Sequence, residues 1–276
     1  MRFVKHRLFL VVLALLVVAA FGFVSGDRGR GADPHVAEYA HLSKTHAEAL
    51  LVVRYVQKAT MDGEEVESDC ETVGIMIDPS GLVVCSSNGM IGPEGDGVTV
   101  SATNFKVLIG EDTEGLEASL LARDQELDLT WLRIRKPKGR VFKAIDPAAG
   151  AVVQPGERLL TLSRLGKYFD RVPQVLEGRI SAIVSKPRDL IAPGGLTGGI
   201  GDPVFLPDGT FVGLFVLQTP EVDESNEENS DEDLVNDIMI LPAATLEKAT
   251  DRAKRTAASA PASQPAEDQR GADDGE

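Results

Sequence analysis

Residues 194–216 read GGLTGGIGDPVFLPDGTFVGLFV, and this stretch decides the fold prediction. It begins as a glycine-rich loop, passes through Asp202-Pro203, and continues as two apolar segments separated by Pro207-Asp208-Gly209. Proline, aspartate and glycine are turn residues, and short apolar runs on both sides of a turn predict a β-hairpin. We therefore expect the glycine-rich loop to lead directly into a pair of strands.

Short apolar runs of the same kind fill the chain from Leu50 to Leu241. They are rich in β-branched residues, they are broken by Gly, Pro and Asp, and no long segment among them has apolar residues at helical spacing. This pattern is typical of an all-β barrel or sandwich. A break at residues 136–156 divides the predicted strands into two groups of about equal size.

Six segments, in the same order, resemble the protease domain of HtrA/Deg-type enzymes in the trypsin-like serine protease family. They are IDPSGLVVCSSNGM (77–90), ARDQELDLTWLRI (122–134), PGERLLTLS (155–163), LEGRISAIV (176–184), GDPVFLPDGTFVGLFV (201–216) and IMILPAATL (238–246). Each motif is weak alone, but their order makes the resemblance specific. It implies two antiparallel β-barrels, over residues 49–146 and 147–247, with the active site in the cleft between them.

The resemblance places the family's general-base histidine on Asn88 and the aspartate that orients it on Asp128. Asparagine cannot accept a proton from a hydroxyl near neutral pH. No change of register supplies an imidazole, because the four histidines lie at positions 6, 35, 41 and 46, before the first barrel. We expect Asp128 to form hydrogen bonds with Asn88 or with nearby backbone, since an unpaired buried carboxylate is costly.

Two alignments compete for the nucleophile. A count without gaps from the Asp-Gly turn places it on Ile200, whereas a local match of GLTGGI places it on Thr197 and requires an insertion. We favour Ile200, and neither alignment gives a Ser-His-Asp triad. The glycine-rich oxyanion loop contains Gly198, Gly199, Gly201 and Asp202; Asp202 stands where the family has glycine, and its side chain is expected to crowd the turn. The amides of Gly198 and Ile200 remain candidates for an oxyanion hole.

The formal net charge of −15 argues against nucleic acid as a partner, because phosphate contacts require clustered basic side chains. Eight carboxylates lie between Glu221 and Asp233. They predict a solvated loop or, since the resemblance places this connection beside the primary specificity pocket, a flap that attracts basic peptides or proteins. No cofactor is expected. The histidines at 35, 41 and 46 do not share one helical face, so we expect solvent-exposed side chains rather than a metal site.

The N-terminus resembles an export signal. Three basic residues precede the apolar run at residues 8–24, and the small residues Ser25 and Gly26 follow. Residues 1–26 are therefore predicted to be a signal peptide or a retained membrane anchor. Both alternatives place the rest of the chain outside the cytoplasm, whether periplasmic, secreted or membrane-anchored. A linker with a short helix (27–48) and a C-terminal helix with a disordered tail (248–276) complete the predicted organisation.

Cys70 and Cys85 flank a predicted hairpin whose turn is residues 78–81. Pairing outward from that turn sets Cys85 opposite about Gly74, so Cys70 lies roughly 13 Å away at strand rise. That separation is too large for a disulfide, and we expect two free thiols. The sequence as a whole predicts a non-catalytic, exported pseudoprotease that binds or scaffolds proteins. The alternative is an active extracytoplasmic serine-type endopeptidase with a rearranged site.

Overall fold

The computed structural model describes residues 33–61, 64–90, 99–137, 139–218 and 237–259. Predictions for the N-terminal signal, the acidic run at 221–233 and the C-terminal tail lie outside these residues. Within them, helix α1 spans Pro34–His46 and helix α2 spans Ala243–Ser259. Neither described helix combines the length and apolarity needed to cross a bilayer.

Twelve strands form two closed barrels in which every pairing is antiparallel, and this confirms the predicted fold class. The first barrel contains β1 (Leu50–Met61), β2 (Glu64–Asp78), β3 (Leu82–Ser86), β4 (Thr99–Leu108), β5 (Leu116–Asp124) and β6 (Leu129–Ile134). The second contains β7 (Arg158–Arg164), β8 (Pro173–Val184), β9 (Leu190–Gly194), β10 (Pro203–Phe205), β11 (Phe211–Gln218) and β12 (Asp237–Pro242).

The two barrels have the same connectivity. Around the first ring the order is β1-β2-β3-β6-β5-β4, and around the second it is β7-β8-β9-β12-β11-β10. Each barrel therefore repeats one six-strand plan, and closure removes the free sheet edges that would otherwise invite aggregation. The chain passes from one barrel to the other between Ile134 and Arg158.

Helix α2 packs its apolar face on the barrels. Its buried positions Leu246, Ala249, Thr250 and Ala253 recur at helical spacing. The indole Nε1 of Trp131, which is only 1% exposed, donates a 3.0 Å hydrogen bond to Thr250 Oγ1. This contact ties the C-terminal helix to the core of the first barrel. The helix begins at Ala243, directly after β12, rather than at the predicted boundary of 248.

The cysteine prediction is confirmed. Cys85 pairs with Gly74 between β3 and β2, and Cys70 lies further along β2 opposite Tyr55 of β1. Both cysteines are free. Burial raises the pKa of the Cys85 thiol to about 12, so this side chain stays protonated and unreactive near neutral pH.

Candidate functional site

Asp128 is the buried carboxylate that the first barrel contributes to the cleft. It lies in the β5–β6 turn with a left-handed backbone (φ 56°). Its Oδ2 accepts hydrogen bonds from Ser86 Oγ (2.7 Å) and Leu217 N (2.9 Å), and its Oδ1 accepts one from Ser87 N (2.9 Å). Leu217 belongs to β11 of the second barrel, so this carboxylate joins the two barrels at the cleft.

Burial raises the pKa of Asp128 above its ordinary value. The Leu217 N–H offsets this effect most strongly, followed by the Ser86 hydroxyl and the amides of Ser87 and Asn88. Hydrogen bonds to the ionised form favour that form, whereas desolvation opposes it. The carboxylate is therefore costly to bury, and the donors around it lower that cost.

Asn88 lies immediately beyond the end of β3, beside this carboxylate. Its N–H donates to Ser86 Oγ at 2.9 Å, and the same amide helps to lower the pKa of Asp128. The Asn88 side chain is exposed and makes no hydrogen bond to any described residue. Asn88 thus meets Asp128 through its backbone and through Ser86, not through its side-chain amide.

The glycine-rich loop between β9 and β10 contributes the second barrel's part of the site. Thr197 is exposed and Ile200 is half-buried. Gly201 has φ 92°, and its N–H donates to Phe215 O at 2.7 Å. A methyl group on Gly201 would lie 2.9 Å from Val73 O and 3.6 Å from Ser86 N. The loop therefore touches the first barrel next to Ser86, which brings the predicted site residues of both barrels to one place.

Asp202 points into the protein behind this loop. It is fully buried, and its Oδ2 accepts a 2.6 Å hydrogen bond from Gly199 N. Its Oδ1 has no hydrogen-bond partner among the described residues. Burial raises the pKa of Asp202 to about 6, and the Ser163 hydroxyl and the Gly199 amide offset only part of that rise. The buried carboxylate accepts the Gly199 hydrogen bond from the interior side of the loop and does not enter the cleft.

Two backbone amides of the glycine-rich loop remain available as hydrogen-bond donors. Gly198 N–H and Ile200 N–H donate to no described residue, in contrast to Gly199 N–H and Gly201 N–H. A methyl group on Gly198 would lie 2.6 Å from the Phe215 ring, so only glycine fits there. A pair of free amides in a glycine-rich loop is the arrangement that can stabilise an oxyanion.

Three hydroxyl side chains lie near the site: Ser86, Ser87 and Thr197. Ser86 is 2% exposed and donates to Asp128, while Ser87 is 6% exposed and shares a 2.8 Å hydrogen bond with Thr130. The Thr197 hydroxyl is exposed and forms no hydrogen bond to a described residue. Nucleophilic catalysis by a hydroxyl requires an adjacent base and access to the substrate. Ser86 has the Asp128 carboxylate beside it but is buried, whereas the exposed Thr197 hydroxyl forms no hydrogen bond to a described base.

Two histidines of α1, His41 and His46, lie at the far end of the β10–β11 hairpin. A methyl group on Gly209 would lie 3.4 Å from His41 Nε2 and 3.8 Å from His46 Nε2. Asp202 pairs with Phe215 at the other end of this hairpin, about six residues or roughly 20 Å away at strand rise. Neither imidazole can therefore serve the glycine-rich loop.

One histidine prediction is wrong. His46 is not solvent-exposed but half-buried, and its ring stacks on Phe205 with the centroids 4.6 Å apart. This burial lowers the pKa of His46. The cause is the tertiary packing of α1 on the β10–β11 turn, which the local sequence of the helix does not reveal. In the part of the chain that the structure describes, no group of three His, Cys, Asp or Glu side chains could hold a metal ion.

The sequence predicted that Asp128 would bond Asn88 or nearby backbone, and the Ser87 amide is such a partner, but the Ser86 hydroxyl and Leu217 were not predicted. Ser86 carried only a weak signal, a pair of serines directly after the apolar run of β3. Leu217 carried none, since it acts through its backbone N–H.

Neither a protein-family model nor a curated protein sequence matches this chain. Among solved structures, it is similar to an HtrA-type protease, AlgW, solved with a tripeptide. The identity is 16%, the TM-score is 0.48, and the match covers 77% of this chain and 62% of the other. The assignment of two antiparallel barrels rests on the strand topology and not on this similarity.

Proposed function

We propose that this chain is a non-catalytic pseudoprotease of the trypsin-like type, which acts outside the cytoplasm by binding or scaffolding other proteins. The observation that carries this proposal is the hydrogen bonding of Asp128. In a catalytic triad the buried aspartate accepts a hydrogen bond from the imidazole of the general base. Here its donors are the Ser86 hydroxyl and the amides of Ser87 and Leu217.

The position that the resemblance gives to the histidine supports the same proposal. Asn88 presents an exposed amide side chain, which is not a base near neutral pH. Ile200, the favoured nucleophile position, presents an apolar side chain. Acyl transfer needs a nucleophile and a base that act as a unit, and the side chains at positions 88 and 200 belong to neither class.

The partners that we propose are proteins or peptides with basic character. The chain carries a net charge of −15, and the run from Glu221 to Asp233, which lies outside the described residues, contains eight carboxylates. A dense negative charge attracts cationic partners over a Debye length of about 8–10 Å and repels anionic ones.

The alternative is an active extracytoplasmic endopeptidase with a rearranged site. Two observations favour it: Thr197 is exposed, and the Gly198 and Ile200 amides donate to no described residue. A loop with free amides could still stabilise an oxyanion if a nucleophile reached the same carbonyl carbon.

Labelling with a fluorophosphonate probe separates the two functions. We expect the purified protein neither to react with the probe nor to hydrolyse casein, because a fluorophosphonate traps only an activated hydroxyl. Active trypsin serves as the positive control. The matched variants are Thr197→Ala and Ile200→Ala, which, like the parent, should not react with the probe. Labelling of the parent that disappears in Thr197→Ala would refute the pseudoprotease proposal and identify Thr197 as the nucleophile.

A further inference from the structure

The connection between β7 and β8, residues 165–172, exposes two large aromatic side chains. We call it the aromatic loop. Tyr168 is 91% exposed and Phe169 is 58% exposed, and their rings meet edge to face with the centroids 5.1 Å apart. Val172, at the end of the loop, is 51% exposed. A cluster of exposed aromatic and aliphatic side chains marks an interaction site more often than a scattered apolar residue does.

The backbone of the aromatic loop is internally hydrogen-bonded. Leu165 N donates to Val172 O at 3.0 Å and closes the loop, and Val172 N donates to Phe169 O at 3.2 Å. Phe169 N donates to Gly166 O at 2.9 Å within the short 3₁₀ turn. The two rings are therefore presented by an ordered support, which reduces the conformational entropy lost on binding a partner.

Side chains from both barrels brace this loop. Asp170 and Arg171 adopt left-handed backbone conformations, with φ 53° and 52°. The Arg171 guanidinium contacts the Glu71 carboxylate of β2 at 2.7 and 2.9 Å, and Arg164 donates to Arg171 O at 2.9 Å. Two consecutive left-handed residues without glycine are strained, so the surrounding contacts fix a conformation that the loop would not adopt alone.

A pocket of 590 Å³ opens beside the aromatic loop. Residues 170–173 form one wall, the β4–β5 connection at residues 110–113 forms another, and Ala47 and Glu48 complete the lining with Arg164. The pocket therefore lies against the second half of the aromatic loop, beginning at the residue that directly follows Phe169. A partner that covers the two rings has a concave site next to them.

The charged side chains of this pocket that remain available to a partner are negative. Its carboxylates are Glu48, Glu111, Asp112 and Asp170, and its cations are Arg164 and Arg171. Both cations are turned toward the protein itself, because Arg171 binds Glu71, and Arg164 donates to the carbonyl oxygens of Ala47, Leu50 and Arg171.

The carboxylates differ in how far they are already engaged. Glu48 forms a 3.5 Å ion pair with Lys143, and Asp112 accepts from the amides of Glu114 and Gly115. Glu111 and Asp170 are exposed and form no ion pair within the described residues. Lys167, at the tip of the loop, repels cations there and leaves the pocket as the favourable place for a positive charge.

We propose that the aromatic loop and this pocket form a docking surface for a protein segment that carries lysine or arginine next to large apolar residues. The apolar side chains of the segment cover Tyr168 and Phe169, and its cation enters the pocket between Glu111 and Asp170. This inference deepens the proposed binding function and rests on it, but it uses a surface distant in sequence from the acidic run at 221–233.

The test uses the purified full chain and a fluorescein-labelled peptide of alternating lysine and leucine, with an alternating glutamate and leucine peptide for comparison. Fluorescence anisotropy should report binding of the lysine peptide alone. The double variant Tyr168→Ser/Phe169→Ser should weaken that binding by about tenfold or more, because exposed aromatic anchors carry most of the binding energy in such interfaces. Glu111→Lys should weaken it several-fold.

Matched variants elsewhere separate this surface from general attraction to an acidic protein. Val152→Ser removes an apolar side chain that is 99% exposed, and Asp189→Lys reverses an exposed charge; both should bind the lysine peptide as the parent does. Equal loss in these controls and in the aromatic double variant would overturn the proposal. Equal binding of the glutamate peptide, or no binding of either peptide, would overturn it as well.

Vesicles of phosphatidylglycerol provide a further arm. Cosedimentation with these vesicles that depends on Tyr168 and Phe169 would assign the loop to a membrane surface and overturn the proposed protein partner. The catalytic test is independent of all these outcomes. A chain that is silent toward fluorophosphonate but fails the peptide test keeps its proposed function and loses only this docking surface.

Discussion

The two barrels share one connectivity, yet each brings a different kind of buried carboxylate to the cleft. Asp128, from the first barrel, accepts three hydrogen bonds, one of them from a strand of the second barrel. Asp202, from the second barrel, accepts one from Gly199, and its other oxygen has no partner among the described residues. Burial raises the pKa of both carboxyls; four donors offset the rise at Asp128, whereas the Ser163 hydroxyl and the Gly199 amide offset it at Asp202.

Asp128 therefore has a stabilising structural role, whereas the ionised form of Asp202 is destabilising. Without its carboxylate, the Ser86 hydroxyl and the Leu217 N–H would lose their acceptor, whereas Ser87 N would keep the Asp128 carbonyl oxygen at 3.2 Å. Asp128 therefore stabilises the contact between the barrels. Asp202 lies in the loop that the resemblance assigns to the nucleophile, and its ionised form is poorly solvated there. The carboxylate of Asp128 thus has a clear structural role, whereas the charge on Asp202 costs stability near neutral pH.

The largest effect is expected from Asp128→Ala. It removes the acceptor of the Ser86 hydroxyl and of Leu217 N together and should lower the free energy of unfolding by about 4 kcal/mol. Urea denaturation at pH 7, followed by the fluorescence of the single, buried Trp131, measures the change. Asp189→Asn, at an exposed position, is the control and should stay within about 0.5 kcal/mol of the parent. A loss below 1 kcal/mol in Asp128→Ala would show that the carboxylate does not hold the barrels together.

For Asp202 we predict a smaller effect on the free energy of unfolding, and this effect depends on pH. Because burial raises its pKa from 3.8 to about 6, the folded chain binds this proton more tightly than the unfolded chain does. Stability from protonated Asp202 is therefore present near pH 4 and is lost as the pH rises through about 6, a change of about 3 kcal/mol in total.

Asp202→Asn should remove this dependence. The variant should unfold with nearly the parent's free energy at pH 4 and be more stable than the parent at pH 7, as measured by urea denaturation across that range. Asp128 also has a raised pKa and acts in the same direction, but it is present in both proteins and cancels in the comparison. Parallel pH profiles for the parent and Asp202→Asn would mean that the buried carboxylate is fully solvated in the folded protein and that its charge does not cost stability.

Much of the fold was predictable because its signals are local. Short apolar runs and the turn at Asp208-Gly209 predict strands, and the ordered motifs place Asn88, Asp128 and the glycine-rich loop. The environment of these residues was not predictable in the same way. Leu217 donates through its backbone, His46 is buried by a turn that lies far away in sequence, and the pKa of Asp202 depends on what surrounds it in three dimensions.

The smallest effect concerns the place where the second barrel's loop presses on the first. Gly201 and Gly195 both have positive φ, 92° and 65°, so alanine is strained at either position by about 1 kcal/mol. Only at Gly201 would the new methyl group also meet backbone, 2.9 Å from Val73 O, whereas nothing lies within 4 Å of it at Gly195. Gly201→Ala should therefore cost about 2 kcal/mol or more in urea denaturation and Gly195→Ala about 1 kcal/mol. The pair isolates the contact between the barrels from the backbone strain that both glycines share. Equal losses would mean that the loop moves away from Val73 without cost, and the close approach of the two barrels at this site would then contribute nothing to stability.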